Sequence, residues 1–342
     1  MNRSSGNDTA PVTDQVRHAR WNAVRELHHR YFVGLILYAL QKAGTQVAAD
    51  MMEQTFARQR GQKFLDSIDK LGLSGLPPAE MAAKYLYLAN GLGGVDVATT
   101  TEANGRSWIY YGVPRWMYDG TAICAIPPEV SSGPMRGFHS RIGESLGVPS
   151  LSYVCVGQTA EGHPGLEGFF EDLGRPLEPH ERLRFESHHP RPTYDPAGFP
   201  QVDWSPERRL KVARNYALTY LTNALPSLID VAGAAEAAEI GHGAGLRIGM
   251  HYYAILREQA GVTGDFGDFL LALLHGMDEA PERLDATTIR QPGWHLMRGR
   301  EDQRLPLLRA WSGLVEGCLL AHDRTMRFGV ETDGDGIVWR FS

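Results

Sequence analysis

The pattern of apolar and polar positions divides the chain into helical stretches and short hairpins that recur in the same order. Residues 48–73 show helical periodicity with a glycine near the end, at Gly72. Residues 237–262 show the same pattern, with Gly261 placed 189 positions after Gly72. A glycine just past the last periodic residue is typical of a helix C-terminus. Both stretches are therefore predicted to be amphipathic helices.

Each of the two series ends in a predicted β-hairpin. In the first, residues 151–156 alternate and residues 166–170 return after a glycine-containing turn. In the second, residues 325–330 and 337–341 flank two Asp-Gly pairs. Asp-Gly and glycine-rich turns between β-rich runs are strong hairpin signals. Helices that precede such hairpins predict an α+β fold, with the helices on one side of an antiparallel sheet.

A third similarity lies between the helices and the hairpins. Residues 98–100 and 286–288 both read Ala-Thr-Thr, and a tryptophan follows each, at Trp108 and Trp294. Matching blocks in a constant order indicate an internal duplication. The sequence thus predicts two divergent copies of one helix and antiparallel-sheet unit, packed as an intramolecular pseudo-dimer.

The domain boundaries follow from this repeat. We expect a flexible N-terminus over residues 1–20, a first repeat over 21–174 and a second repeat over 209–342. Residues 175–208 contain seven prolines, which interrupt helices and central strands, and are predicted to form an extended linker.

Composition narrows the class of partner. The formal charge is −6, and the sequence has no run of lysine and arginine of the kind that binds nucleic acid. No apolar stretch reaches the roughly 18–20 residues that span a bilayer, and the N-terminus has no signal-peptide core. These features predict a cytoplasmic protein that acts on a small-molecule substrate and binds neither nucleic acid nor a membrane, with a homodimer left open.

The helix followed by a glycine-turn hairpin, at residues 136–170 and 309–341, resembles the 4-vinyl reductase domain superfamily. The similarity extends to residues 79–111 and 266–297, and within the superfamily it points to the L-2-amino-thiazoline-4-carboxylic acid hydrolase-like branch. It implies a compact α+β domain that binds a small organic molecule, and that branch contains hydrolases of a small cyclic amidine-like carboxylate. The duplication departs from this pattern, and a cysteine occurs only in the first hairpin, at Cys155.

The first hairpin holds the densest group of reactive side chains. Cys155, Glu161, His163 and Glu167 fall within thirteen positions. A thiolate beside an imidazole can act as a nucleophile, and a carboxylate can orient the imidazole. The alternative is that Cys155 packs in the core while the turn residues are solvated.

A second group is predicted on a helix over residues 136–146. Arg136 and His139 are three positions apart, as are Arg141 and Glu144, so each pair shares a helix face. The arginines could hold a substrate carboxylate while His139 acts as a base. The alternative is a charged outer face.

Aromatic residues and a possible metal set complete the candidates. Trp108, Tyr111 and Trp116 suit either a pocket for a planar ligand or simple packing. Glu26 and His29 have the i, i+3 spacing of metal-binding helices, with His242 in the second copy as a further ligand. We expect no cofactor, with a transition metal or haem as the alternative.

These observations predict a small-molecule enzyme, a hydrolase or lyase of a planar carboxylate or aromatic substrate, with its cleft in the first repeat or between the repeats. Two alternatives stay open, namely a non-catalytic sensor or carrier of a small ligand, and a metal- or haem-dependent enzyme. The predicted catalytic residues are Cys155, His139, His163 and Glu167. The predicted substrate-binding residues are Arg136, Arg141, Trp108, Tyr111 and Trp116.

Overall fold

Two separate sheets with helices packed against them make up the chain. The computed structural model describes residues 13–112 and 121–342, apart from the side chain of Lys63. The helices of the first half are α1 (Asp14–Lys70), α2 (Pro78–Leu92), α3 (Pro128–Ser131), α4 (Gly133–Gly137) and α5 (Ile142–Leu146). Its strands are β1 (Val97–Thr101), β2 (Ser107–Tyr111), β3 (Leu151–Gly157), β4 (Leu166–Asp172) and β5 (Leu183–Phe185).

The second half has a similar order of helices and strands. Its helices are α6 (Pro206–Ala232), α7 (Ala234–Gln259), α8 (Phe266–Gly276) and α9 (Arg304–His322). Its strands are β6 (Glu282–Asp285), β7 (Thr288–Gln291), β8 (Phe328–Asp333) and β9 (Gly336–Phe341).

The two sheets share a strand order. The first runs β1-β2-β4-β3-β5 and the second runs β6-β7-β9-β8. All neighbouring strands are antiparallel except β5, which pairs in parallel with β3. The α+β class predicted from the sequence is confirmed, and both predicted hairpins form, as β3-β4 and β8-β9.

A glycine breaks the helical backbone at the same place in each half. Gly44 interrupts α1 at φ 88° and ψ 176°, and Gly233 separates α6 from α7 at φ 84° and ψ 157°. Only glycine adopts this backbone region at little cost. The two breaks are 189 residues apart, which is the offset of the sequence pattern.

The N-terminal half of α1 packs in the second half of the chain. The buried hydroxyl of Tyr31 lies 3.0 Å from the carbonyl of Gly241 and 2.8 Å from that of Ala310. Phe32 stacks on Tyr220 of α6, with ring centroids 4.8 Å apart. One continuous apolar cluster therefore runs through both halves. In the part of the chain that the structure describes, no helix is long and apolar enough to cross a membrane.

Glycines bring the helices into backbone contact. A β-carbon at Gly313 of α9 would lie 2.3 Å from the carbonyl oxygen of His242 in α7. One at Gly137 of α4 would lie 2.0 Å from the carbonyl oxygen of Glu53 in α1. Side chains larger than hydrogen cannot fit at these crossings.

The prediction of one helix over residues 136–146 is wrong. Helix α4 ends at Gly137, a short 3-10 turn covers His139–Arg141, and α5 is a separate single turn. The segment contains Gly137 and Gly143, and glycine is about 1 kcal/mol less favourable than alanine inside a helix. The backbone therefore follows its packing against α1 rather than one helical axis.

The predicted ends and linker differ in detail from the structure. The predicted flexible N-terminus, residues 1–20, lies partly outside the described residues, but α1 already begins at Asp14. The side chain of Thr13 caps it by accepting from the amide of Val16. The proline-rich segment adds strand β5 to the first sheet.

We predict that Gly313→Ala lowers the free energy of unfolding by about 1–3 kcal/mol, because the new methyl group overpacks the crossing of α9 and α7. Gly61→Ala is the matched control, since a β-carbon there meets nothing within 4 Å and the position is exposed on α1. Helix propensity should make Gly61→Ala neutral or slightly stabilising. Urea unfolding monitored by circular dichroism compares the two, and equal midpoints would contradict the tight crossing.

Candidate functional site

A cavity of about 360 Å³ lies between the C-terminal half of α1, helix α2 and helix α6. Ligand sites in proteins commonly begin at about 300 Å³. The cavity therefore lies where the two halves of the chain meet and is large enough for a small organic molecule. Its aromatic and aliphatic wall is formed by Phe56, Leu71, Tyr85, Leu86, Leu88, Leu92, Val95, Phe138, Leu166, Val212 and Tyr220.

Two polar side chains meet at the buried end of the cavity. Tyr111 extends from the last position of β2, and its hydroxyl lies 3.0 Å from Nε2 of His139. Nδ1 of His139 lies 3.2 Å from the carbonyl oxygen of Pro134. A carbonyl only accepts, so we assign the ring proton to Nδ1 and the acceptor role to Nε2. Tyr111 then donates its hydroxyl proton to His139.

The His139 ring sits among other aromatic rings. Its centroid is 4.7 Å from that of Tyr153 and 6.2 Å from that of Phe170, with which it is stacked. Burial lowers the pKa of His139 from 6.5 to about 4, and the hydrogen bond to Pro134 opposes this only in part. Burial also raises the pKa of Tyr111 well above its usual value. Both groups are therefore neutral at pH 7.

The solvent-exposed end of the cavity carries positive charge. Lys70, in the last turn of α1, and Arg208, in the first turn of α6, both line it and are exposed. The described lining residues include no aspartate or glutamate. Uncharged polar groups complete the lining, from Gln59, Gln62, Ser67, Asn90, Asn215, Tyr216 and Thr219.

The structure does not place Cys155 as a nucleophile. Its side chain is buried, and the nearest polar partner is the carbonyl of Gly157 at 3.7 Å. Its cross-strand partner in the hairpin is Gly168, whereas Glu167 pairs with Gly157. Burial raises the pKa of the thiol to about 12. The thiol is therefore protonated at neutral pH and packs in the core.

Glu167 and His163 lie on the far side of the first sheet from His139. Successive side chains of a strand point to opposite faces. Leu166 lines the cavity, whereas Glu167 accepts from the hydroxyl of Tyr194 at 2.8 Å. The guanidinium of Arg191 contacts both predicted residues, at 2.9 Å from Glu167 and 2.9 Å from Nδ1 of His163. These two residues therefore fasten the proline-rich segment to the sheet.

The predicted arginines are also occupied elsewhere. Arg136 lies 3.1 Å and Arg141 3.8 Å from the carboxylate of Glu53 on α1. Neither arginine lines the cavity. Their contacts connect the turn that carries His139 to α1, which is a structural role rather than a substrate contact.

The three predicted aromatic residues have different positions. Tyr111 lines the cavity. Trp108 is fully buried on the opposite face of the sheet, with its ring 4.7 Å from that of Phe169. Trp116 lies outside the described residues.

The predicted metal ligands are not brought together. Glu26 accepts from Arg25 at 2.6 Å and from Arg30 at 3.3 Å. Nε2 of His242 lies 2.8 Å from Glu316, and His29 packs near Tyr220. Among the described residues, no three histidine, cysteine, aspartate or glutamate side chains are placed to hold a metal ion.

Bulky side chains occupy the space beneath the second sheet. In the first sheet Gly168 pairs with Ile109, and in the second Trp339 pairs with Ile289. Trp339 lies 5.7 Å from Trp311, which also contacts two further rings. These are Trp294 and His28, each 6.3 Å from Trp311. The cavity instead adjoins the first sheet, where Tyr111 and Leu166 line it.

The sequence patterns do not identify several of the residues that line the cavity. Lys70 and Arg208 are 138 positions apart, and no local motif joins them. Tyr220 gave a usable signal, because it stands 189 positions after Tyr31, at the repeat offset. Phe56 and Tyr85 have the sequence pattern of ordinary helical core residues, so nothing in the sequence marks them as cavity residues.

A comparison of the chain with protein-family models, with curated proteins and with solved structures finds no match in any of the three. The resemblance to the 4-vinyl reductase domain superfamily therefore stays a prediction. What bears on function is the geometry of the cavity and its lining.

We predict that iodoacetamide at pH 8 alkylates Cys124 in the folded protein and leaves Cys155 and Cys318 unmodified. Cys124 is exposed, whereas the other two thiols are buried. With a pKa of about 12, only about one Cys155 thiol in ten thousand is ionised at pH 8. Mass spectrometry of the native and urea-unfolded protein gives the sites. Alkylation of native Cys155 as fast as Cys124 would restore the nucleophile hypothesis.

Stability should depend on pH through His139. Its folded pKa of about 4 lies below the unfolded value of 6.5, so the unfolded state binds the proton first as the pH falls. The stability is complete above pH 6.5 and is lost towards pH 4. We expect His139 to account for roughly 2 kcal/mol of loss between pH 7 and pH 5. Urea unfolding at both pH values should show a correspondingly smaller loss for His139→Gln, and equal losses would contradict the assignment.

Proposed function

We propose that the protein binds a small, largely apolar and planar molecule in the cavity between α1, α2 and α6, as a ligand carrier or sensor. The observation that supports this best is the cavity of about 360 Å³, which is lined mainly by aromatic and aliphatic side chains. At its buried end lie the uncharged, hydrogen-bonded side chains of Tyr111 and His139. Burial of an apolar ligand surface there is favourable by about 25 cal/mol per Å².

The aromatic wall favours a planar ligand in particular. Tyr85 and Phe138 lie parallel within 11°, with centroids 6.3 Å apart, and Phe64 meets both edge-on. Offset and edge-to-face contacts with such rings add roughly 0.5–1.5 kcal/mol beyond the area that is buried. A flat ring system gains these contacts, whereas a branched aliphatic molecule does not.

We also propose that the chain is a duplicated unit whose halves form an intramolecular pseudo-dimer. The common strand order, the glycine breaks at Gly44 and Gly233, and the helix-ending glycines Gly72 and Gly261 support this. Under this proposal the first copy keeps the ligand site. In the second copy, Trp294, Trp311 and Trp339 pack together beneath the sheet instead.

A second candidate function is acid–base catalysis by Tyr111 and His139, as a hydrolase or lyase. The hydrogen bond between the two side chains favours it. The pKa of His139, about 4, argues for binding instead, because general bases work best with a pKa near the operating pH.

The test uses the neutral fluorophore N-phenyl-1-naphthylamine. We expect saturable binding with a blue-shifted emission, because the probe leaves water for an aromatic cavity. Ala89→Trp, which places an indole in the cavity lining, should weaken that binding at least tenfold. Ala254→Trp is the control, since it adds the same side chain at an exposed position of α7 outside the cavity.

Binding that is absent, or that is equal in the wild type and Ala89→Trp, would contradict the proposed site. Turnover of a panel of 4-nitrophenyl esters and 4-nitroanilides distinguishes the catalytic function from the carrier function. Turnover that disappears in both Tyr111→Phe and His139→Gln, while probe binding persists, would favour the enzyme. A carrier predicts no turnover with any of these proteins.

A further inference from the structure

We infer that the cavity selects ligands with a single anionic group. Lys70 and Arg208 hold this group at the solvent-exposed end of the cavity, its mouth, while the apolar part of the ligand points towards Tyr111 and His139. This rests on the proposed function and specifies its ligand class. The class is a planar aryl or conjugated monoanion, such as a carboxylate or sulfonate.

Neither cation is neutralised by a carboxylate of the described residues, and the guanidinium of Arg208 lies 5.9 Å from the centroid of the Trp204 ring. Among the described residues, neither Lys70 nor Arg208 takes part in an ion pair. The carboxylates that precede them in sequence, Asp69 and Glu207, accept hydrogen bonds from other side chains. Glu207 accepts from Arg17 at 2.8 Å, and the side chain of Asp69 accepts from the hydroxyl of Ser74. An anion at the mouth would therefore meet positive charge that no described carboxylate neutralises.

The charge of the lining is opposite to that of the whole chain. The protein carries a formal net charge of −6, which repels anions at long range. The described cavity lining nevertheless contains two cationic side chains and no acidic one. Local selection of an anion is the simplest role for this arrangement, since an uncharged ligand gains nothing from it.

The buried end fixes the orientation of the ligand. Tyr111 uses its proton in the bond to Nε2 of His139, and His139 uses its own in the bond to Pro134. Neither group is charged at neutral pH, and an unpaired anion buried beside them would lose its hydration without compensation. The free lone pairs of the Tyr111 oxygen can still accept from a neutral hydroxyl or amine of a ligand. The anion therefore stays at the mouth.

The test compares two probes that share the same ring system. Anilinonaphthalene sulfonate carries one negative charge, and N-phenyl-1-naphthylamine carries none. We expect the sulfonate to bind about tenfold more tightly at low ionic strength. Lys70→Gln and Arg208→Gln should each weaken sulfonate binding about threefold, and the double variant about tenfold. Binding of the neutral probe should change by less than about twofold.

Lys211→Gln is the matched control, because it removes the same charge from α6 outside the cavity lining. It should leave the binding of both probes unchanged. Raising the salt concentration should weaken sulfonate binding alone, through screening of the two cations. Competition extends the result to carboxylates, since 2-naphthoate should displace the sulfonate at lower concentration than 2-naphthamide.

The outcomes separate the two proposals. Equal affinity for both probes, unchanged in the double variant, would overturn the anion selectivity and leave the cavity as a site for neutral ligands. A loss of sulfonate binding in Lys211→Gln as large as in Lys70→Gln would overturn it as well. Failure of both probes to bind would overturn the proposed function, and the inference with it.

Discussion

The rest of the structure depends on the burial of α1 on both sides of Gly44. The N-terminal half of this helix packs against α6 and α7, where Tyr31 and Phe32 are fully buried. Its C-terminal half supports α4 and forms one wall of the cavity. Each large apolar side chain buried in this way contributes about 1.5–3 kcal/mol. Neither half of the chain can therefore complete its core without the other.

Backbone contact at glycines determines the shape that this core encloses. Where α9 crosses α7 at Gly313, and where α4 crosses α1 at Gly137, the helices approach too closely for side chains to intervene. Beneath the second sheet, three tryptophans fill the volume that remains. Beneath the first sheet, the shorter helix α4 gives way to the turn that carries His139, and the cavity lies beside this turn. The same arrangement thus produces a packed interior in one half and a cavity in the other.

The parts of the fold that local chemistry determines were predictable from the sequence. Glycine-ended helices at Gly72 and Gly261 and the two hairpins follow from backbone preferences over a few residues. The candidate site was not predictable in the same way. Residues that are close in sequence on a hairpin need not be close in space, because successive side chains of a strand point to opposite faces of the sheet. Cys155 and Glu167 belong to one hairpin, yet the first faces the core and the second faces the proline-rich segment. Of the predicted site residues, His139 and Tyr111 line the cavity.

The two cations that line the cavity, Lys70 and Arg208, are far apart in sequence and yet line the same cavity. Lys70 ends α1, and Arg208 lies in the first turn of α6, in the other half of the chain. Only the packing of α1 against α6 brings them to one opening, and that packing depends on long-range burial rather than on any spacing in the sequence. The sequence predicts the helix that ends near Lys70, but it assigns Arg208 to the extended linker rather than to a helix.

Strand β5 has a consequence for how a ligand enters. In many two-domain proteins the connecting segment is a hinge, and the site opens when the domains separate. Here the connector is hydrogen-bonded into the first sheet, and Arg191 and Tyr194 fasten it to the buried carboxylate of Glu167. These bonds hold the connector to the first half, and separation of the halves would expose the core that α1 shares with α6 and α7. Under the proposed function, a ligand would then pass the exposed side chains of Lys70 and Arg208, whose rotamer changes take picoseconds to nanoseconds rather than the microseconds to milliseconds of a domain motion.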